Sequence, residues 1–277
     1  MPSLRLHFSA LCALLACAGP AIAGASKLQV FVSIPPQKFF VERIGGERVE
    51  VSVMLEPGHA PETYEPPPRK IAALQSARLY VLMNVPFERG WRDVLPAEGP
   101  RFSVVDSGPR DEHPSEHGDP HGWVAPEDAR RIAGVVLDAL VSVDPSAAEA
   151  YRARHEQLLD ELDTLEREMR SRLAGPRTPY FIISHASLGR FADAFGLEQI
   201  ALEEGGKEAG PRRLAAIIDL ARRERVRTVF MQTQYRSGSV RTLARELGAD
   251  VVEIDPLAAD YLAGMRAIAR AIADATH

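Results

Sequence analysis

One segment limits the fold more than any other. Between Ser146 and Leu173, the residues Tyr151, His155, Leu158, Leu162, Leu165 and Met169 return at steps of four and three. That spacing draws one continuous stripe along an α-helix, and its other faces are dense in Glu, Arg and Asp. Glu166 and Arg170, and Asp163 and Arg167, stand one turn apart and form modest ion pairs. About 28 residues at a rise of ~1.5 Å predict a rod of roughly 42 Å. A rod of that length in a chain of 277 residues is expected to cross and join two lobes. Gly175-Pro176 stops it.

On both sides of the rod, strand-like runs alternate with helix-like ones. Before it come Leu28–Ile34 (LQVFVSI), Val49–Leu55 (VEVSVML), Leu79–Met83 and Phe102–Val105, with helices read at Gln37–Ile44, Arg69–Ala77 and Glu127–Val143. After it come Tyr180–Ser184 (YFIIS), Thr228–Met231 and Val251–Ile254, with helices at Ser187–Phe195, Pro211–Glu224, Ser237–Leu247 and Leu262–Ala273. Such alternation implies βαβ units. The expected architecture is α/β, with two lobes at 27–143 and 177–277 joined by one long rigid helix within 144–175. Each lobe is expected to hold a mostly parallel four-stranded sheet flanked by helices. The halves share an architecture, not a sequence repeat.

Residues 1–23 read differently. Arg5, an apolar run from Phe8 to Ala18, Gly19-Pro20 and the small-x-small end Ala21-Ile22-Ala23 form a secretory signal peptide. The run is too short to span a bilayer, and no other stretch approaches a span. Cys17 offers an alternative lipid anchor. Both cysteines, Cys12 and Cys17, leave with such a leader. The leader also takes one of the 33 basic residues and none of the 38 acidic ones, so the mature net charge is −6. An acidic, cysteine-free exported chain gives no reason to expect nucleic acid as a partner, and no Cys-based metal site.

Histidine is then the metal-capable residue. In open parallel sheets ligands bind beyond the carboxyl ends of the strands. There the sequence places His59 after the second strand, His185 after YFIIS, Gln232 and Gln234 after the strand at 228–231, and Asp255 after the strand at 251–254. His121 lies in the loop before Trp123. Three imidazoles and a carboxylate suit Zn²⁺, and a manganese site would carry more oxygen donors. Each residue also has a plainer reading: a surface loop histidine, a turn-starting aspartate, loop packing at His121-Gly122-Trp123. Their joint occurrence at strand ends favours the site. His113 and His117 lie in the acidic loop 109–120, which is either a solvated connector or an auxiliary metal-capture loop. Glu203, Glu204 and Glu208 lie in a Gly-rich polar stretch and read as solvated.

The chain resembles the zinc/manganese solute-binding proteins of bacterial metal ABC transporters, the group whose two lobes hang on one rigid helix. The resemblance rests on PGHAPETYEPPPRKIAAL at 57–74, VPFERGW at 85–91, GDPHGWVAPEDAR at 118–130, SHASLGRFADAFGL at 184–197 and VVEIDPLAADY at 251–261. It implies ligands at His121, His185 and Asp255. At the first position many members carry His where this chain has Glu62. Here the histidine stands three residues earlier, so His59 is expected to be the ligand, with Glu62 and Gln234 as further ligand or supporting candidates. The resemblance implies capture of Zn²⁺, with Mn²⁺ less favoured, in the periplasm. The protein would act as a monomer and deliver the ion to a permease driven by a cytoplasmic ATPase, without catalysis. The alternatives are an exported zinc hydrolase, with Glu62 or Glu65 as general base, and a metal-binding surface adhesin. No HExxH motif supports the hydrolase. A histidine site is expected to lose metal as pH falls through about 6.5.

Overall fold

The computed structural model describes residues 26–90, 95, 102–109, 119–204, 207–235 and 238–277. The expected leader at 1–23 and the loop histidines His113 and His117 lie outside the described residues. Among the described residues, no helix is long and apolar enough to cross a membrane.

The first lobe holds β1 (Leu28–Val32), α1 (Pro35–Gly45), β2 (Val49–Val53), α2 (Pro68–Ala73), β3 (Leu79–Leu82), β4 (Ser103–Asp106) and α3 (Pro126–Val143). The linking helix α4 runs Ala148–Arg172. The second lobe holds β5 (Tyr180–His185), α5 (Gly189–Phe195), β6 (Glu198–Glu204), β7 (Lys207–Glu208), α6 (Pro211–Arg223), β8 (Thr228–Gln232), α7 (Gly238–Leu247), β9 (Asp250–Ile254) and α8 (Tyr261–Thr276). The first sheet is wholly parallel, in the order β2-β1-β3-β4. The second runs β7-β6-β5-β8-β9 and is parallel except for the two-residue edge strand β7. Counting only parallel strands in chain order, both sheets run second, first, third, fourth. Each therefore has a topological switch point beside its first strand, where open α/β sheets form crevices.

The central rod is real, at 25 residues and about 37 Å. It buries Tyr151, Leu158, Leu162, Leu165 and Met169. His155 lies on the same stripe but only half-buried, and burial holds its imidazole below the ordinary value. The rod's stripe merges with α1, α3, α8, the first sheet and one face of the second sheet into a single apolar core. A smaller core lies on the other face of the second sheet, where Ile182, Leu202, Val229 and Met231 meet α6 and α7 through Ile217, Ala221, Val240 and Leu243. Alternation along β5 divides the two: Phe181 and Ile183 enter the larger core, and Ile182 enters the smaller one.

Two departures from the sequence reading bear on the site. Glu203, Glu204 and Glu208, expected to be solvated, lie on the strands β6 and β7. The pattern of β6 is hard to read because glutamates close both its ends and, among its residues of described burial, Ala201 and Leu202 alone are deeply buried. Gly196, in the left-handed region at φ 68°, turns the chain from α5 into β6. The second helix also begins at Pro68 and gives way to a single tighter turn at Leu74–Ser76. Buried Gln37 holds the first sheet's upper edge together. Its Oε1 accepts from the Ser33 and Ile34 amides, and its Nε2 donates to the Val81 and Leu82 carbonyls and to Ser107 Oγ.

Candidate metal centre

Three donor side chains converge between the lobes. Glu62 comes from the loop after β2, His121 from the turn before α3, and His185 from the last residue of β5. One ligand atom from each lies within 4.8 Å of the others, the one such group found among the described residues. Glu62 Oε1 is 3.2 Å from His185 Nε2 and 3.7 Å from His121 Nε2. A tetrahedral zinc site with bonds of about 2.0–2.1 Å spaces neighbouring donors by about 3.3 Å, so the triad has the right dimensions. His185 is 4% exposed, and both its ring nitrogens are buried without an aligned hydrogen-bond partner. Buried polar atoms are ordinarily paired, so an imidazole left this way among other donors suits a metal ligand.

Each histidine also has a carboxylate behind it. His121 Nδ1 lies 2.7 Å from Asp119 Oδ1, which also accepts the His121 backbone amide at 2.9 Å. With Nδ1–H donated backward, Nε2 is left for the triad. His185 Nδ1 lies 3.4 Å from Glu203 Oε1, on the neighbouring strand β6. Burial alone would push the His121 imidazole down. The Asp119 and Glu62 carboxylates outweigh burial and raise it from 6.5 to about 9. Glu62 is the converse: burial pushes it up, but His121 and His185 bring it from 4.5 down to about 2.

Contacts across the lobes hold His121 in place. The guanidinium of Arg190, on α5, donates to the Asp119 carbonyl at 3.1 Å and to Asp128 Oδ2 at 3.2 Å. The Trp123 indole N–H donates to the Pro256 carbonyl at 2.8 Å, and the Tyr261 hydroxyl donates to the Trp123 carbonyl at 2.8 Å. At Gly189 a Cβ would stand 3.2 Å from Asp119 Oδ2, so the bare backbone is what lets α5 come this close. Asp119→Asn keeps the shape but weakens the pull on His121. It is expected to cost about tenfold to a hundredfold in zinc affinity, measurable by competition with a chromophoric chelator.

The other sequence candidates fall as follows. His59 is exposed, with its ring edge-on to Tyr64 at 5.2 Å and Nδ1 3.3 Å from the Pro57 carbonyl. It lines a separate open groove of about 580 Å³ with Glu56, Tyr64 and Arg69. In this loop it is Glu62, not His59, that reaches the two inward-facing histidines. Asp255 follows β9 at the same sheet edge and is not one of the three converging donors. Its Oδ1 accepts from Gln234 Nε2 at 2.8 Å and from the Leu257 amide at 3.0 Å. Gln234 thus supports Asp255. The oxygens Gln232 Oε1 and Gln234 Oε1 at this edge are buried without partners.

The sequence reading missed Tyr235, Asp119 and Glu203. Tyr235, in the loop after β8, stacks its ring on His185 at 4.3 Å and 9°, and its hydroxyl donates to Glu62 Oε2. Asp119 had a signal, two residues before His121 in GDPHGW. Glu203 and Tyr235 had none, because only strand pairing and loop folding bring them to the site.

The family model described as zinc-uptake complex component A, periplasmic, matches residues 30–275. A crystal structure of ZnuA superposes with a TM-score of 0.86 at 36% identity, covering 91% of this chain and all of that one. Manganese-binding lipoprotein MntA of Halalkalibacterium halodurans is 27% identical over 76% of this chain and 73% of its own length. Zinc-binding lipoprotein AdcA of Streptococcus pneumoniae is 23% identical over 93% of this chain. The chain spans 56% of AdcA's length.

Proposed function

The chain belongs to the family of periplasmic component A of the zinc-uptake complex, and from that premise we propose that it captures Zn²⁺ between its two lobes and delivers it to a membrane permease powered by a cytoplasmic ATPase. The family is one of metal-binding receptors of ABC transporters, not of enzymes. The observation that carries the reading is the Glu62–His121–His185 triad, with His185, whose ring nitrogens are buried without an aligned hydrogen bond, at its centre. In this reading Glu62 Oε1, His121 Nε2 and His185 Nε2 are ligands. Asp255, whose Oδ1 is held by Gln234 and Leu257, supplies a fourth oxygen. Glu62 thus takes the place that the sequence reading assigned to His59. Residues 1–23 direct export to the periplasm, and the protein acts as a monomer. Anchoring at Cys17 is the alternative supported by the lipoprotein names of AdcA and MntA.

A closed protein site suits carriage, since no coordination position is kept for a substrate. Release requires the permease to bind the ion-free form better than the loaded one. The rod α4 limits how far the lobes can part. Opening therefore falls on the loops carrying Glu62 and His121, and on the Arg190–Asp119 and Trp123–Pro256 bonds that tie the second of them down. A manganese cargo is a second reading with its own observation. Glu62 in place of a histidine makes the donor set richer in oxygen, which is the direction Mn²⁺ prefers.

The test is a zinc titration with proton counting. Without metal, His121 keeps its proton up to about pH 9, while Glu62 is ionised down to about pH 2. A zinc ion must displace the His121 proton, so binding near pH 7.5 is expected to release about one proton. Below about pH 9 affinity should fall about tenfold per pH unit, an onset well above the 6.5 of an ordinary histidine. Calorimetry in two buffers of different ionisation enthalpy measures the release. Saturable binding at one ion per chain supports the reading, and no binding of Zn²⁺ or Mn²⁺ overturns it.

A further inference from the structure

The triad leaves the two oxygens of Glu62 with different jobs. Oε1 faces His121 Nε2 and His185 Nε2. Oε2 receives the hydroxyl of Tyr235, whose ring lies flat on His185. A carboxylate oxygen that accepts a phenol hydrogen bond is a weak second ligand, because chelating through it would give up a charge-assisted hydrogen bond. We infer that Tyr235 holds Glu62 to one metal-facing oxygen and so tunes the centre toward a four-coordinate ion such as Zn²⁺, against ions that take more oxygens such as Mn²⁺.

The inference rests on Glu62, His121 and His185 being the ligands. Carboxylates bind hard, high-coordinate ions through one oxygen or two, and the second oxygen is a ready way to raise coordination number. Zinc is satisfied by four donors in a tetrahedron, whereas manganese favours octahedral sets rich in oxygen. An oxygen donor in place of an imidazole would by itself move this centre toward manganese. The Tyr235 hydroxyl opposes that drift by occupying the oxygen that would widen the shell. Stacking on His185 holds the phenol in place, since the ring cannot swing off Glu62 without uncovering the imidazole. Tyr235 is thus a positioning residue that acts through Glu62.

The variant Tyr235→Phe keeps the stacked ring and removes only the hydroxyl. The probes are Zn²⁺, Mn²⁺ and Co²⁺, the last because its visible absorption is strong in tetrahedral sites and weak in octahedral ones. In the wild type, bound Co²⁺ is expected to show the strong tetrahedral spectrum. In Tyr235→Phe the bands should weaken and shift toward those of a five- or six-coordinate ion. The ratio of Mn²⁺ to Zn²⁺ dissociation constants should fall about tenfold, the scale of one hydrogen bond to a charged group. Tyr235→Leu, which loses the stacking too, should show the same spectral change with a larger loss of Zn²⁺ affinity. An unchanged Co²⁺ spectrum and metal ratio in Tyr235→Phe overturn the inference, as does an octahedral spectrum in the wild type. No metal binding by the wild type would instead overturn the receptor reading beneath it.

Discussion

Replacing Glu62 by alanine is expected to weaken zinc binding by about a hundredfold or more, while His59→Ala changes it by less than about threefold. Glu62 supplies the sole negative charge among the three converging side chains, and its Oε1 lies within 3.7 Å of both inward-facing imidazole nitrogens. Removing it leaves two imidazoles, one of which holds a proton more tightly because of Asp119. His59 lies exposed against Tyr64 and contributes no atom to the triad. Calorimetric titration of the two variants, side by side at one pH, checks the contrast. The reverse ranking would restore His59 as the ligand.

Trp123→Ala is expected to lower the free energy of unfolding by about 3–5 kcal/mol. Trp123 is 1% exposed and among the largest fully buried side chains. Its loss opens a cavity in the core shared by both lobes and leaves the Pro256 carbonyl without its indole donor. The same variant should loosen the turn carrying His121, whose ring packs on the indole at 5.3 Å, and so lower zinc affinity as well. Urea denaturation of metal-free protein measures the first effect. If stability stays within about 1 kcal/mol of wild type, the turn is not anchored through this residue.

Much of the fold was legible because its signals are local. The runs at β1, β2, β5 and β8 are rich in Val, Ile and Phe, and the spacing of Tyr151, Leu158, Leu162, Leu165 and Met169 has one helical reading. β6 was not legible. As a strand of the second sheet it gains its stability from pairing with β5, and its glutamate-bounded sequence carries little pattern of its own. The site divides in the same way. His185 was readable because it ends an apolar strand, and His121 because it sits in a distinctive turn. Which acid or imidazole of HAPET faces inward depends on the path of an irregular loop, and three residues along such a loop can point anywhere.

The sequence by itself determined the two α/β lobes, the rod between them and the sheet edge where candidate donor side chains gather, because burial periodicity and strand-end position are properties of neighbouring residues. Only the tertiary structure decided that Glu62, not His59, converges with His121 and His185, that Asp119 and Glu203 stand behind the histidines, and that Tyr235 donates to the second carboxylate oxygen. Those choices join residues as far apart as Glu62 and Tyr235, which come within reach of a hydrogen bond only after the two lobes have packed on α4.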